Sequence, residues 1–92
     1  MGSGIQPQID VVSVSATATL AALLGAALNG SCKRVTLIPA AAGIYMDDGA
    51  ATASSAPLGS ASIEMAGGPN ELGALQFFAA SATNMTVIQE GS

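Results

Sequence analysis

Much of the chain consists of short apolar runs, each bounded by turn-forming residues. The run over residues 34–38 ends at Pro39, and the run over residues 43–46 ends at an Asp-Asp-Gly turn. Runs of this length are typical of β-strands and too short for most helices. Short strands separated by turns predict a mainly β domain, a small β-sandwich or barrel of the jelly-roll type.

Several of these runs alternate apolar and polar residues, which is the period of a half-buried strand. In residues 10–15, Val12 and Val14 alternate with serines, and in residues 60–65 Ile63 and Met65 alternate with polar residues. Residues 75–80 and 85–90 are interpreted as a closing pair of strands. The alternation predicts that one face of each strand packs into the core.

One segment has the period of a helix instead. Its leucines and Ala27 fall on one stripe of a helix over residues 19–28, at the positions Leu20, Leu23, Leu24, Ala27 and Leu28. Thr17 or Thr19 can cap its start, and Asn29-Gly30 can end it in a left-handed turn. Asn70 is a second candidate cap, for one helical turn up to Gly73. We therefore expect one short N-terminal helix within an otherwise β-rich domain.

The first residues are predicted to form an extended arm over residues 1–8, followed by a single β-rich domain over residues 9–92. Gly2, Gly4 and Pro7 interrupt regular structure in this segment. The arm cannot order itself, yet Ile5 and Ile9 are apolar anchors that can contact a neighbour. We expect residues 2–9 to contact neighbouring subunits or a capsid protein.

The residue types needed for chemistry are scarce. The chain has no His, no Trp, 1 Cys and 2 basic residues. General acid–base catalysis, metal binding and phosphate binding depend on those residue types. We therefore expect no enzyme activity, no cofactor and no metal. Asp47-Asp48 is interpreted as a hairpin turn rather than a Ca²⁺ site, and Cys32 as a small apolar residue rather than a nucleophile.

The charge of the chain limits its partners. The formal net charge is −4, and the basic residues are the adjacent pair Lys33 and Arg34. Such a chain cannot neutralise the phosphates of nucleic acid or bind an anionic membrane surface. The pair can contact an acidic partner, or Glu64 or Glu90 of the same fold. No basic segment precedes an apolar run as in a signal peptide, so we expect folding in a cytoplasm.

The adjacent rings Phe77 and Phe78 must lie on opposite faces of their strand. One ring is expected in the core, and the other must be covered by another element or a partner. Together with the arm, this predicts an interface that includes Ile5, Ile9, Phe78 and Ile88.

The chain resembles small structural proteins of tailed bacteriophages and prophages. The resemblance rests on residues 20–28 (LAALLGAAL), 30–37 (GSCKRVTL), 44–50 (IYMDDGA) and 75–81 (LQFFAAS). In that group a helix leads into a strand, an aromatic-containing strand runs into an Asp-Asp-Gly turn, and a strand with a buried aromatic closes a compact β-fold. The loop over residues 50–57 and the Gly-Gly-Pro turn depart from the group.

The resemblance implies a virion protein, either a capsid decoration (cement) protein or a head–tail accessory protein. A decoration protein would lie on the capsid surface, bind the major capsid protein or another virion protein, and form a homo-oligomer, with a trimer favoured. Two alternatives stay open at this point. One is a tail, baseplate or receptor-binding subunit, and the other is a small-molecule-binding β-barrel.

Overall fold

The computed structural model describes residues 8–47 and 55–91. Strands are the main elements of these residues, with two short helices. In chain order the elements are β1 (Gln8–Val14), β2 (Ala18–Thr19), α1 (Leu20–Leu24), β3 (Arg34–Pro39), β4 (Ile44–Asp47), β5 (Ala56–Pro57), β6 (Ile63–Ala66), α2 (Pro69–Gly73), β7 (Gln76–Ala79) and β8 (Thr83–Glu90).

The strands form two four-stranded sheets. The first sheet has the order β1-β8-β3-β6 and the second has the order β2-β7-β4-β5. All neighbouring strands in the two sheets are antiparallel. The prediction of a mainly β fold is confirmed, and the architecture is a small sandwich rather than a barrel.

The core consists of the inward-facing residues of both sheets. The first sheet contributes alternate residues of its strands, such as Val35 and Leu37 on β3, and the second contributes Ile44 and Phe77. Phe77 is fully buried, so it is the core member of the predicted ring pair. The predicted alternation is confirmed on β6, where Ile63 and Met65 pack against the core.

The helix is shorter than the sequence predicts. It begins after Thr19, whose Oγ1 accepts a hydrogen bond from the Ala22 N–H at 3.1 Å, and this confirms Thr19 as a cap. It ends at Gly25, which has a left-handed φ of 80°. The prediction that it continues to Leu28 was therefore wrong, because Gly25 takes the terminating conformation that we expected at Asn29-Gly30.

Two further expectations about neighbouring elements were wrong. The strands β7 and β8 do not form a pair, because they belong to different sheets and the turn between them crosses from one sheet to the other. Helix α2 is capped by Gly68 rather than by Asn70. The Gly68 N–H donates to the Glu71 carboxylate at 3.0 Å, which places that negative charge at the first turn.

Strand β1 begins earlier than the predicted strand and includes Gln8 and Ile9. The remainder of the predicted arm, with Ile5, lies outside the described residues. Within the described part of the chain, no helix has the length and apolar character needed to cross a membrane.

Candidate interaction surface

The outer side of the first sheet carries a cluster of β-branched side chains. On β1, Val12 and Val14 point into the core, so Ile9 and Val11 point outward and are 64% and 65% exposed. The same alternation turns Ile38 of β3 outward, with 39% exposure. We call this surface the β-branched face, and its members are Ile9, Val11, Thr36, Ile38, Thr86 and Ile88.

The strand register arranges the β-branched face in two rows. In one row Ile9 lies opposite Ile88, which in turn lies opposite Thr36. In the next row Val11 lies opposite Thr86, which lies opposite Ile38. Cross-strand neighbours on one face have Cβ atoms about 4.5–5.5 Å apart, so the six side chains form one continuous surface.

An ion-pair network borders the β-branched face at one end. The Arg34 Nε donates to Glu90 Oε1 at 3.2 Å and lies 3.6 Å from Glu64 Oε2. The hydrogen bond to Glu90 and then the negative charges of Glu90 and Glu64 raise the pKa of Arg34. The predicted contact of the basic pair with Glu64 or Glu90 is confirmed, and Arg34 makes both. This network ties β3 to its neighbours β6 and β8.

The outer side of the second sheet carries an aromatic pair. Tyr45 of β4 lies opposite Phe78 of β7, and their ring centroids are 6.5 Å apart with an angle of 39° between the planes. On its other side Tyr45 lies opposite Pro57 of β5. Phe78 is half-buried, so it is the outward ring of the predicted pair. This smaller surface is the second candidate for an interface.

The structure brings together only part of the predicted interface. Ile9 and Ile88 are direct cross-strand neighbours, whereas Phe78 lies on the other sheet and faces the opposite side of the sandwich. Ile5 lies outside the described residues. Sequence reasoning missed Val11 and Ile38. The alternation of side chains along a strand could have identified them, because each is next to a core residue of its strand and must therefore face outward.

The other residues considered as candidate sites make hydrogen bonds within the fold or lie outside the described residues. Asp47 ends β4 and its carboxylate accepts a hydrogen bond from the Ser55 hydroxyl at 2.9 Å, while Asp48 lies outside the described residues. Cys32 is 1% exposed, and its thiol donates to the Arg34 carbonyl oxygen at 3.3 Å. Among the described residues, no three potential ligands are grouped where a metal ion could bind.

No cavity large enough for a small molecule was found among the described residues. No protein-family model matches the chain, and neither the curated proteins nor the solved structures include a significant match to it.

Proposed function

We propose that the chain is a capsid decoration protein of a tailed bacteriophage, a non-enzymatic subunit that binds the outer surface of the head and stabilises it. The observation that carries this proposal is the β-branched face, an uncharged surface on the outer side of the first sheet where Ile9, Val11 and Ile38 are exposed. The resemblance of residues 20–28 and 75–81 to phage structural proteins supports the choice of a phage capsid as the partner.

The β-branched face is suited to binding because its side chains lose little freedom when they are covered. Ile, Val and Thr have restricted χ1 rotamers, and here they stand on paired strands whose backbone is already fixed. Ordering costs at an interface are therefore small. Covering apolar surface contributes roughly 25 cal/mol for each Å² removed from water. A flat, apolar patch on the major capsid protein is the complementary surface.

The charge distribution around the β-branched face favours an apolar rather than an ionic contact. None of its six members is charged, and the nearby charges of Arg34, Glu64 and Glu90 are already paired with one another. Binding through this face should therefore change little with ionic strength, because salt screens charge–charge contacts and not apolar burial. The proposed partner contacts Ile88 and Ile38 near the centre of the sheet.

A tail or receptor-binding role is the second candidate, and the Tyr45–Phe78 pair is the observation that favours it. Aromatic side chains at surfaces are common in contacts with proteins and sugars. The β-barrel alternative loses its geometrical basis because the two sheets form a sandwich.

Copy number in purified virions tests the proposal. Quantitative mass spectrometry against isotope-labelled peptides should give a copy number within a few-fold of the major capsid protein. A number close to that of a tail protein would instead support the second candidate. Absence from purified particles that contain all other head proteins would contradict both.

A further inference from the structure

Within residues 8–47 and 55–91, the two sheets have four edge strands, and one of them differs from the others in length. Strands β2 and β5 have 2 residues each and β6 has 4, whereas β1 has 7. Proteins commonly shorten their edge strands because unpaired backbone N–H and C=O groups can pair with another chain. Three edges of this sandwich are shortened in that way, and β1 is not.

The other devices that protect an edge are few on β1, and one of them is Asp10, a charged residue on the face that carries Val12 and Val14. The strand sequence, QIDVVSV, contains no Pro and no Lys, and four of its seven residues are Ile or Val. In the described part of the chain it pairs with β8 on one side only. Ile9 and Val11 of this strand have the highest exposed fractions among the large apolar side chains described.

We infer that β1 pairs with β1 of a second copy of this chain, antiparallel and about a two-fold axis. The backbone groups along the edge supply the hydrogen bonds, as in other cases of strand addition. The pairing joins the first sheets of two copies into one continuous sheet. It also joins their two β-branched faces into a single larger apolar surface.

The symmetry of the strand fixes the register. Residues that lie opposite each other must point to the same side of the sheet. The two-fold axis must therefore place one residue opposite its own copy in the second chain, and it cannot lie midway between two consecutive residues. An axis at Val11 pairs every described residue of the strand, Gln8–Val14. Val11 then lies opposite Val11 of the second copy, and Ile9 lies opposite Ser13. An axis through Asp10 would set two carboxylates directly opposite each other.

The register also sets the distance between the two Asp10 carboxylates. With the axis at Val11, the two Asp10 side chains are diagonal neighbours on the same face, about 7–8 Å apart. That spacing is close to the Debye length of about 8 Å at physiological ionic strength. Added salt and the substitution Asp10→Asn should therefore both strengthen the pairing.

Sedimentation equilibrium of the purified full chain tests the inference in the absence of any capsid. We expect a monomer–dimer equilibrium, and Val11→Lys should raise its dissociation constant at least about tenfold by placing two ammonium groups opposite each other. Ile38→Lys is the matched control, since it puts the same charge on the same face but on β3, away from the edge. Its dissociation constant should equal that of the parent chain.

Crosslinking tests the register. Val11→Cys should form an intermolecular disulfide on mild oxidation, because the two side chains are opposite neighbours. Ile9→Cys should not, since the two copies of residue 9 are separated by four residues along the strand, or roughly 13 Å. The native Cys32 thiol is buried and does not interfere. Pairing through β1 alone closes after two copies, so the same experiment distinguishes it from the trimer that the resemblance implies.

Two results would overturn the inference. One is a chain that stays monomeric at the highest concentration measured, and the other is equal crosslinking of Val11→Cys and Ile9→Cys. Dimerisation is measured without capsids, so failure of the proposed function leaves this inference standing, and its failure leaves the proposed function standing.

Discussion

Ile9 of β1 and Ile88 of β8 lie directly opposite each other on the outer side of the first sheet, although they come from opposite ends of the chain. On the β-branched face, this is the pair in which two large apolar residues are direct cross-strand neighbours. Because β8 is a central strand and β1 is an edge strand, the same pair connects the proposed capsid-binding surface with the proposed self-pairing edge.

The adjacent rings of β7 provide a matched test of the sandwich. Phe77 is fully buried and Phe78 is half-buried on the outer side. We expect Phe77→Ala to lower the free energy of unfolding by about 3–5 kcal/mol, because it removes a core ring and leaves a cavity. Phe78→Ala should cost clearly less. Urea denaturation followed by circular dichroism measures both, and equal losses would contradict the assignment of the two faces.

The end of helix α1 is tested by two glycines. Gly25 has a φ of +80°, and a Cβ there meets no atom within 4 Å. Gly25→Ala should therefore destabilise the protein by roughly 1–2 kcal/mol through backbone strain alone. Gly30 has the same open space without a positive φ, so Gly30→Ala should change the stability by less than about 0.5 kcal/mol. If Gly30→Ala were the more destabilising of the two substitutions, the result would support the longer helix that the sequence predicts.

The ion-pair network should make the stability depend on salt. Arg34→Met removes the cation shared by Glu64 and Glu90, so the variant should melt at a lower temperature at low ionic strength and lose most of the difference near 1 M salt. Lys33→Met is the control, since it removes the same charge beside the network. Equal salt dependence of the two variants would show that the network does not contribute.

The pH dependence of this contribution follows from the sign of the pKa shift. The folded-state pKa of Arg34 is raised, so its contribution is fully present below the unfolded pKa and is lost as the pH rises through the folded value. Arginine stays protonated in proteins at ordinary pH. The difference between the parent chain and Arg34→Met should therefore not respond to deprotonation of Arg34 between neutral pH and pH 10. A loss of the difference in that range would contradict the role assigned to Arg34.

Local patterns in the sequence predicted where strands form better than they predicted which strands pair with each other. Alternation on β6 and the Thr19 cap are set by neighbouring residues, and both were predicted correctly. The assignment of β7 and β8 to different sheets depends on contacts between distant parts of the chain, and no local pattern contains that information. Leu28 shows the same limit, because it is buried as the leucine stripe suggested, yet it lies beyond the helix.

The sequence identified only part of the candidate surface, because the rest depends on how distant strands pair. Ile9 and Ile88 were identified as separate apolar residues, but their pairing depends on the register between β1 and β8. Phe78 was grouped with Ile88 because the two strands are adjacent in sequence, whereas the structure places them on opposite sides of the sandwich. Burial of alternate residues would have identified Val11 and Ile38 as outward-facing.

Occupancy of decoration-free capsids by two double variants tests whether the β-branched face binds the capsid. Ile38→Ser with Ile88→Ser removes two apolar groups from the centre of this face, while Tyr45→Ser with Phe78→Ser removes two from the other side of the sandwich. After co-sedimentation, we predict strongly reduced occupancy for the first pair and parent-like occupancy for the second, with both variants folded by circular dichroism. Full occupancy by the first pair would show that the β-branched face does not bind the capsid, and loss of occupancy by the second pair would assign docking to the aromatic surface.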